Sequence, residues 1–235
     1  MANSSLLIGG LVFPDLDQAD FTGPFEILSR IPHARFFVIS PDGQPVTDAR
    51  GLILTPHMSF SEAPAVDVLL VPGGSGVNAI MENEFALTFV KKQAASAKLV
   101  FAVCTGALIC GAAGLLVGRR ATTHWASHHL LSSFGAIPQN ARVVVDGNLV
   151  TAAGVTSGLD ASLQVAAIIA GDDAARQIQL YLEYAPEPPF DCGSPETTPP
   201  EIVAALRHSM ASVLEERRQI AERFALSRQG HPLSI

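Results

Sequence analysis

Four short apolar runs, Leu6–Phe13, Ala34–Ile39, Val66–Val71 and Leu99–Val103, alternate with helically patterned stretches, and this alternation limits the available folds most. Strands apolar on both faces must be covered on both faces, so the pattern predicts an α/β sandwich, a mostly parallel sheet with helices on either side. Thr22-Gly23-Pro24 predicts a helix start with a polar cap and a proline in the first turn, and a second helix is expected over roughly Glu84–Ala97. Leu52–Thr55 is a weaker strand candidate. Arg142–Val145 and Asn148–Ala152 flank Asp146-Gly147, a strong hairpin signal, and are expected as a strand pair near one sheet edge. Further helices are expected from about Thr156-Ser157-Gly158 towards Ala170 and over Asp172–Glu183. Tyr184–Pro200 is rich in proline and reads as an arm, followed by a last helix over about Glu201–Phe224 and a frayed polar tail. A chain of 235 residues that is 48% hydrophobic suits one domain over 1–235, with the arm at 184–200 and the helix at 201–224 packed on it.

The charge balance excludes some partners. Fifteen Lys and Arg against 22 Asp and Glu give a net charge of −7 with no long basic run, so no nucleic-acid footprint is expected. Leu6–Phe13 is brief, lacks a basic leader and runs into Pro14, which suits a buried strand rather than a signal peptide or a membrane span. A cytoplasmic protein without membrane association is expected. Cys104, Cys110 and Cys192 are odd in number and lack paired ligand spacing, so neither a disulfide framework nor a zinc site is expected. Cys110, six residues after Cys104, falls on the same helix and reads as packing.

Cys104 is the leading candidate for chemistry. It ends the strand Leu99–Val103, and Thr105-Gly106-Ala107 then opens a helix, which lifts a thiol out of the core at a corner where helix N–H groups favour the thiolate. Three other segments sit where this architecture gathers functional groups, at the carboxyl ends of strands. Pro72-Gly73-Gly74-Ser75-Gly76 follows Val66–Val71 and is either a tight turn or a loop whose N–H groups meet developing negative charge. No lysine follows where a phosphate-binding loop requires one, which disfavours nucleotides.

Asp20 lies after the first strand, two residues before the expected cap. It either helps to start the helix or acts as an acid/base whose pKa is raised by burial and a nearby thiolate, reachable if the first and fourth strands are neighbours. Asp15 and Asp17 read as solvated loop charges. His124, beside the single tryptophan Trp125, is either catalytic or a packed core residue, while His57, His128 and His129 suit surface or capping roles.

Asp20-Phe21-Thr22-Gly23-Pro24, Pro72-Gly73-Gly74, Val103-Cys104-Thr105-Gly106-Ala107, Gly118–Trp125 and Glu183–Phe190 occur in an order that resembles the ThiJ/PfpI superfamily, and within it the branch that hydrates isocyanides. The likeness runs from the first strand to the final helix. It implies a flavodoxin-like fold, a homodimer, no cofactor, and a small isocyanide as substrate. It also implies that Cys104 is a nucleophile on a strained elbow and Asp20 its acidic neighbour. Isocyanide chemistry then assigns Asp20 to move the proton while Cys104 forms a covalent thioimidate. Gly74 and Thr105 would offer N–H groups, the Thr105 hydroxyl would reach Asp20, and Gly73, Gly74, His124 and Val155, with Gly154 and Thr156 nearby, would wall the pocket. Protease-like members carry histidine directly after the cysteine, whereas this chain has Thr105, which argues against peptidase activity. Arabinose-regulator-type transcription factors append a DNA-binding region for which the stretch after the arm is too short. Two rivals remain: glyoxalase or deglycase activity on small α-oxoaldehydes, and a redox-sensing dimer in which Cys104 is oxidised.

Overall fold

The computed structural model describes residues 5–229. Seven strands build the central sheet: β1 (Leu6–Leu11), β2 (Ala34–Ser40), β3 (Met58–Ser59), β4 (Val68–Val71), β5 (Leu99–Val103), β6 (Val143–Asp146) and β7 (Leu149–Ala152). Their order is β6-β7-β5-β4-β1-β2-β3, and every neighbouring pair is parallel except the hairpin β6/β7 at the edge. The centre is dry because β4 and β5 are buried along their whole length, as unbroken apolar runs require.

The helices are α1 (Gln18–Leu28), α2 (Val77–Met81), α3 (Glu84–Ser96), α4 (Gly106–Ala112), α5 (Ser157–Ala170), α6 (Asp172–Tyr181), α7 (Pro200–Ser209) and α8 (Ala211–Gln229), with a 3-10 helix over Trp125–Phe134. They form two contacting groups, one over each face of the sheet: α1, α5 and α6 in one, and α2, α3, α4, α8 and the 3-10 helix in the other. The mostly parallel sandwich is the expected fold class.

Several local expectations are corrected. Helix α1 begins at Gln18, before Thr22, because the Asp17 side chain caps it by accepting from the Ala19 N–H at 3.1 Å. Asp17 is therefore a cap, and Pro24 lies inside the helix instead of opening it. Ile53–Leu54 does not join the central sheet. It pairs antiparallel with Val46–Thr47, since the buried Asp48 carboxylate accepts from the N–H groups of Arg50 and Leu52, both at 2.8 Å, and folds the chain back. The expected last helix is divided at Met210 into α7 and α8, and α8 continues to Gln229. The part of the expected frayed tail beyond Gln229 lies outside the described residues. Tyr184, which opens the proline-rich segment, donates its hydroxyl to Asp160 of α5 at 2.6 Å.

Candidate active site

Cys104 occupies the corner between β5 and α4 with φ 55°, in the left-handed region that a side-chain-bearing residue enters at a cost of about 1–2 kcal/mol. Three contacts hold it there. Its N–H donates to Ala152 of β7 at 2.9 Å, its carbonyl accepts from the Thr123 hydroxyl at 2.7 Å, and α4 starts hard against the end of β4. Gly106 permits that last approach, since a Cβ there would sit 2.1 Å from the Val71 carbonyl oxygen. Thr123, from the segment beside His124, is thus the latch of the elbow.

Asp20 lies in the first turn of α1 and is fully buried. Its Oδ2 accepts from the Gly73 N–H at 3.0 Å, and its Oδ1 is buried without a well-formed hydrogen bond. The Cys104 thiol interacts with the same carboxyl group. Strand adjacency does not bring the two together, because β4 separates β1 from β5. Asp20 instead reaches across Gly73 at the end of β4. A Cβ on Gly73 would lie 2.6 Å from the Thr105 nitrogen, 2.7 Å from its Oγ1 and 2.8 Å from Asp20 Oδ2. Glycine is what lets thiol and carboxyl share one enclosure.

The protonation states of the pair are linked. Burial, then the Asp17 charge, raise the Asp20 pKa from 3.8 to about 7, against the opposing contacts from Cys104 and the Gly73 N–H. Burial and the Asp20 charge also push the Cys104 thiol well above its ordinary value. The Thr105 N–H does favour the thiolate, as expected of a helix start, but burial and Asp20 outweigh it. Above about pH 7 the pair therefore holds one proton, which resides on sulfur and is deliverable to the carboxylate, and below that pH the carboxyl takes up a second.

Cys104 faces a cavity of about 370 Å³ lined also by Asp17, Gly74, Thr105, His124 and Val155, with Met210, Val213 and Arg217 from the C-terminal segment, while Asp20 lies behind the thiol and does not line it. Cys104, Thr105, Gly74, His124 and Val155 line this one cavity, whereas Gly73 does not line it and instead donates its N–H to Asp20. Two finer expectations change. The Gly74 N–H donates to Thr105 Oγ1 at 3.0 Å and is not free to meet a reacting group. The Thr105 hydroxyl turns to the Gly74 carbonyl at 3.2 Å rather than to Asp20. His124 caps the 3-10 helix by accepting from the Ala126 N–H, and burial and Arg217 lower its pKa, so it is a neutral wall rather than a proton donor.

Arg217 is the site residue that sequence reasoning missed. Its guanidinium is buried and donates to Asn78 Oδ1 at 2.8 Å, Ser127 Oγ at 3.0 Å and the Gly74 carbonyl at 3.1 Å. The available signal was its place on the apolar stripe of α8: Arg217, Ile220 and Ala221 are all buried, with Phe224 packed against the core. Among the described residues, no group of three or more His, Cys, Asp or Glu side chains could hold a metal ion. No helix among them is long and apolar enough to cross a membrane.

A mostly parallel sandwich with a left-handed cysteine at a strand-to-helix corner, facing a buried carboxyl, defines the class of α/β nucleophile-elbow domains. The DJ-1/PfpI family model matches residues 8–168, and the chain belongs to that family. It is 49% identical over 221 residues to an isonitrile hydratase of Pseudomonas putida, covering 94% of this chain and 97% of that protein. The crystal structure of a ThiJ/PfpI family protein from Pseudomonas syringae superposes with a TM-score of 0.90 at 37% identity, covering 93% of this chain and 91% of that one. The transcriptional regulator GbdR of Pseudomonas aeruginosa is 33% identical over 56% of this chain but only 36% of its own length.

Proposed function

We propose that the protein is an isocyanide hydratase, converting R–N≡C and water into an N-substituted formamide. The observation that carries this reading is the buried Cys104–Asp20 pair, a thiol that keeps its proton beside a carboxyl that titrates at about 7 and has one oxygen, Oδ1, without a hydrogen-bond partner. The near full-length similarity to an isonitrile hydratase supports the same reaction.

As substrate enters, the thiol proton passes to Asp20 and the thiolate attacks the terminal carbon of the isocyanide. Asp20 then returns the proton to that carbon, giving the thioimidate R–N=CH–S–Cys104 and a carboxylate. The carboxylate takes a proton from water as the water oxygen bonds to the same carbon, and the proton goes on to nitrogen. When the C–S bond breaks, the remaining hydroxyl proton returns through Asp20 to sulfur, releasing R–NH–CHO and the starting thiol. The Thr105 N–H stabilises charge on sulfur at each end of the cycle. Val155, Met210 and Val213 give the R group an apolar wall.

The same reading takes the protein as a cytoplasmic homodimer of single-domain subunits, without nucleic-acid or membrane partners; light scattering on the eluted protein tests its mass. Formamide release from an alkyl isocyanide, assayed beside methylglyoxal consumption, tests the activity. Formamide alone supports hydration, methylglyoxal loss alone places the chain with the deglycases, and neither, with stoichiometric oxidation of Cys104, favours a redox sensor.

A further inference from the structure

The C-terminal helix α8 lies outside the stretch 8–168 that matches the family model, yet it delivers a buried cation to the nucleophile's cavity. We propose that Arg217 is a positioning residue of this site: its fixed positive charge supports the Cys104 thiolate, and its bond to the Gly74 carbonyl holds the turn on which Thr105 rests. The inference relies on Cys104 as the nucleophile but not on an isocyanide as the substrate.

The geometry is that of a guanidinium tied on three sides to uncharged acceptors, Asn78 Oδ1, Ser127 Oγ and the Gly74 carbonyl. The neighbouring Glu216 carboxylate is occupied by the Asn78 amide at 2.7 Å and is exposed to solvent. A charge buried without a directly bonded counterion is costly unless a charge of opposite sign develops nearby. The cavity supplies one when the Cys104 proton leaves. Arg217 lines the same cavity as Cys104 and its guanidinium is favoured by negative charge on that sulfur, while the groups acting on sulfur from elsewhere are Asp20 and Asp17 of the α1 segment, both opposing ionisation, and the Thr105 N–H at the start of α4. His124 faces Arg217 and is held neutral by it and by burial, and Asp48 and Arg50 stand at the cavity lining. Arg217 is thus the cation that counters the two aspartates at sulfur.

The second contact is mechanical. The Gly74 carbonyl accepts from both Arg217 Nη2 and Thr105 Oγ1, and the Gly74 N–H returns a bond to the same hydroxyl. Losing the guanidinium leaves that carbonyl with one donor and loosens the turn that sets the Thr105 N–H against sulfur.

Iodoacetamide alkylation of Cys104, followed by peptide mass in the full chain across pH, tests this without any isocyanide. Arg217→Gln and Arg217→Met are expected to alkylate at least about tenfold slower at neutral pH, with the midpoint about one pH unit higher. Arg217→Lys is expected to stay near the wild-type rate. Glu216→Gln removes an opposing charge at an exposed position and is expected to alkylate about twofold faster at low salt. It carries the test if the neutral Arg217 variants do not fold. Wild-type rates in the folded neutral variants, a lysine variant as slow as the methionine variant, or an unchanged Glu216→Gln rate would each overturn the proposal. Altered alkylation without isocyanide turnover would uphold Arg217 and remove the hydratase reading; the reverse would do the opposite.

Discussion

Replacing Asp20 by asparagine should make the protein more stable at alkaline pH while removing its proposed activity. The Asp20 pKa rises from 3.8 to about 7 on folding, so the folded state binds a proton that the unfolded state has already released over that window. Stability therefore falls as pH rises from about 4 to about 7 and stays lower above it. Roughly three pH units at about 1.4 kcal/mol each give about 4 kcal/mol, an upper figure that relaxation around a buried group brings to about 2–4 kcal/mol. Asparagine keeps an oxygen for the Gly73 N–H, which Asp20 Oδ2 now accepts at 3.0 Å, and turns its amide towards the site of the unpartnered Oδ1. Urea unfolding of both proteins between pH 4.5 and 8.5 measures the difference. The variant should gain on the wild type progressively up to about pH 7.5, and turnover should fall by at least about a hundredfold because an amide cannot shuttle the proton. A stability difference that does not vary with pH, or a variant weaker than the wild type at pH 8, would refute the assigned ionisation.

The remaining predictions concern the parts that hold the pair. The wild-type kcat/KM for an alkyl isocyanide should decline below about pH 7, because there the carboxylate that receives the thiol proton is itself protonated; a pH–rate profile flat from 6 to 8 would contradict this. Gly73→Ala places a Cβ within 2.6–2.8 Å of Thr105 and Asp20, and should cost about 1–3 kcal/mol in urea unfolding together with most of the turnover. Thr123→Val removes the 2.7 Å donor to the Cys104 carbonyl and should cost about 1–3 kcal/mol, with a lower kcat and little change in KM. Val155→Ala widens the apolar wall, and should raise KM for small alkyl isocyanides more than for bulky ones in a steady-state comparison.

Much of this site was legible because its parts are local. The run Leu99–Val103 followed by Cys104-Thr105-Gly106 encodes a strand, a corner and a close helix start in consecutive residues, and the structure places them so. Asp20 was legible as a candidate but its route was not. Reading Pro24 as a helix opener moved the cap five residues too late, because proline ordinarily belongs in a helix's first turn, whereas α1, already started by Asp17, carries it in its interior despite the hydrogen bond that it removes there. The partners of Thr105 and Gly74 depend on how two strand ends meet, which no local pattern states. Arg217 was hidden for a different reason. It stands in the charged run Glu215-Glu216-Arg217-Arg218, whose Glu215 and Arg218 pair at the surface, and only the apolar stripe of α8 reveals that one of these charges turns inward.

Mixing the protein with cyclohexyl isocyanide, quenching at intervals and weighing the intact chain tests the central claim most directly. The account predicts a transient adduct of one isocyanide, located on Cys104, that forms before N-cyclohexylformamide and decays at the turnover rate, with neither adduct nor product in Cys104→Ala. Formamide produced by Cys104→Ala at the wild-type rate, or turnover without any adduct on Cys104, would contradict it.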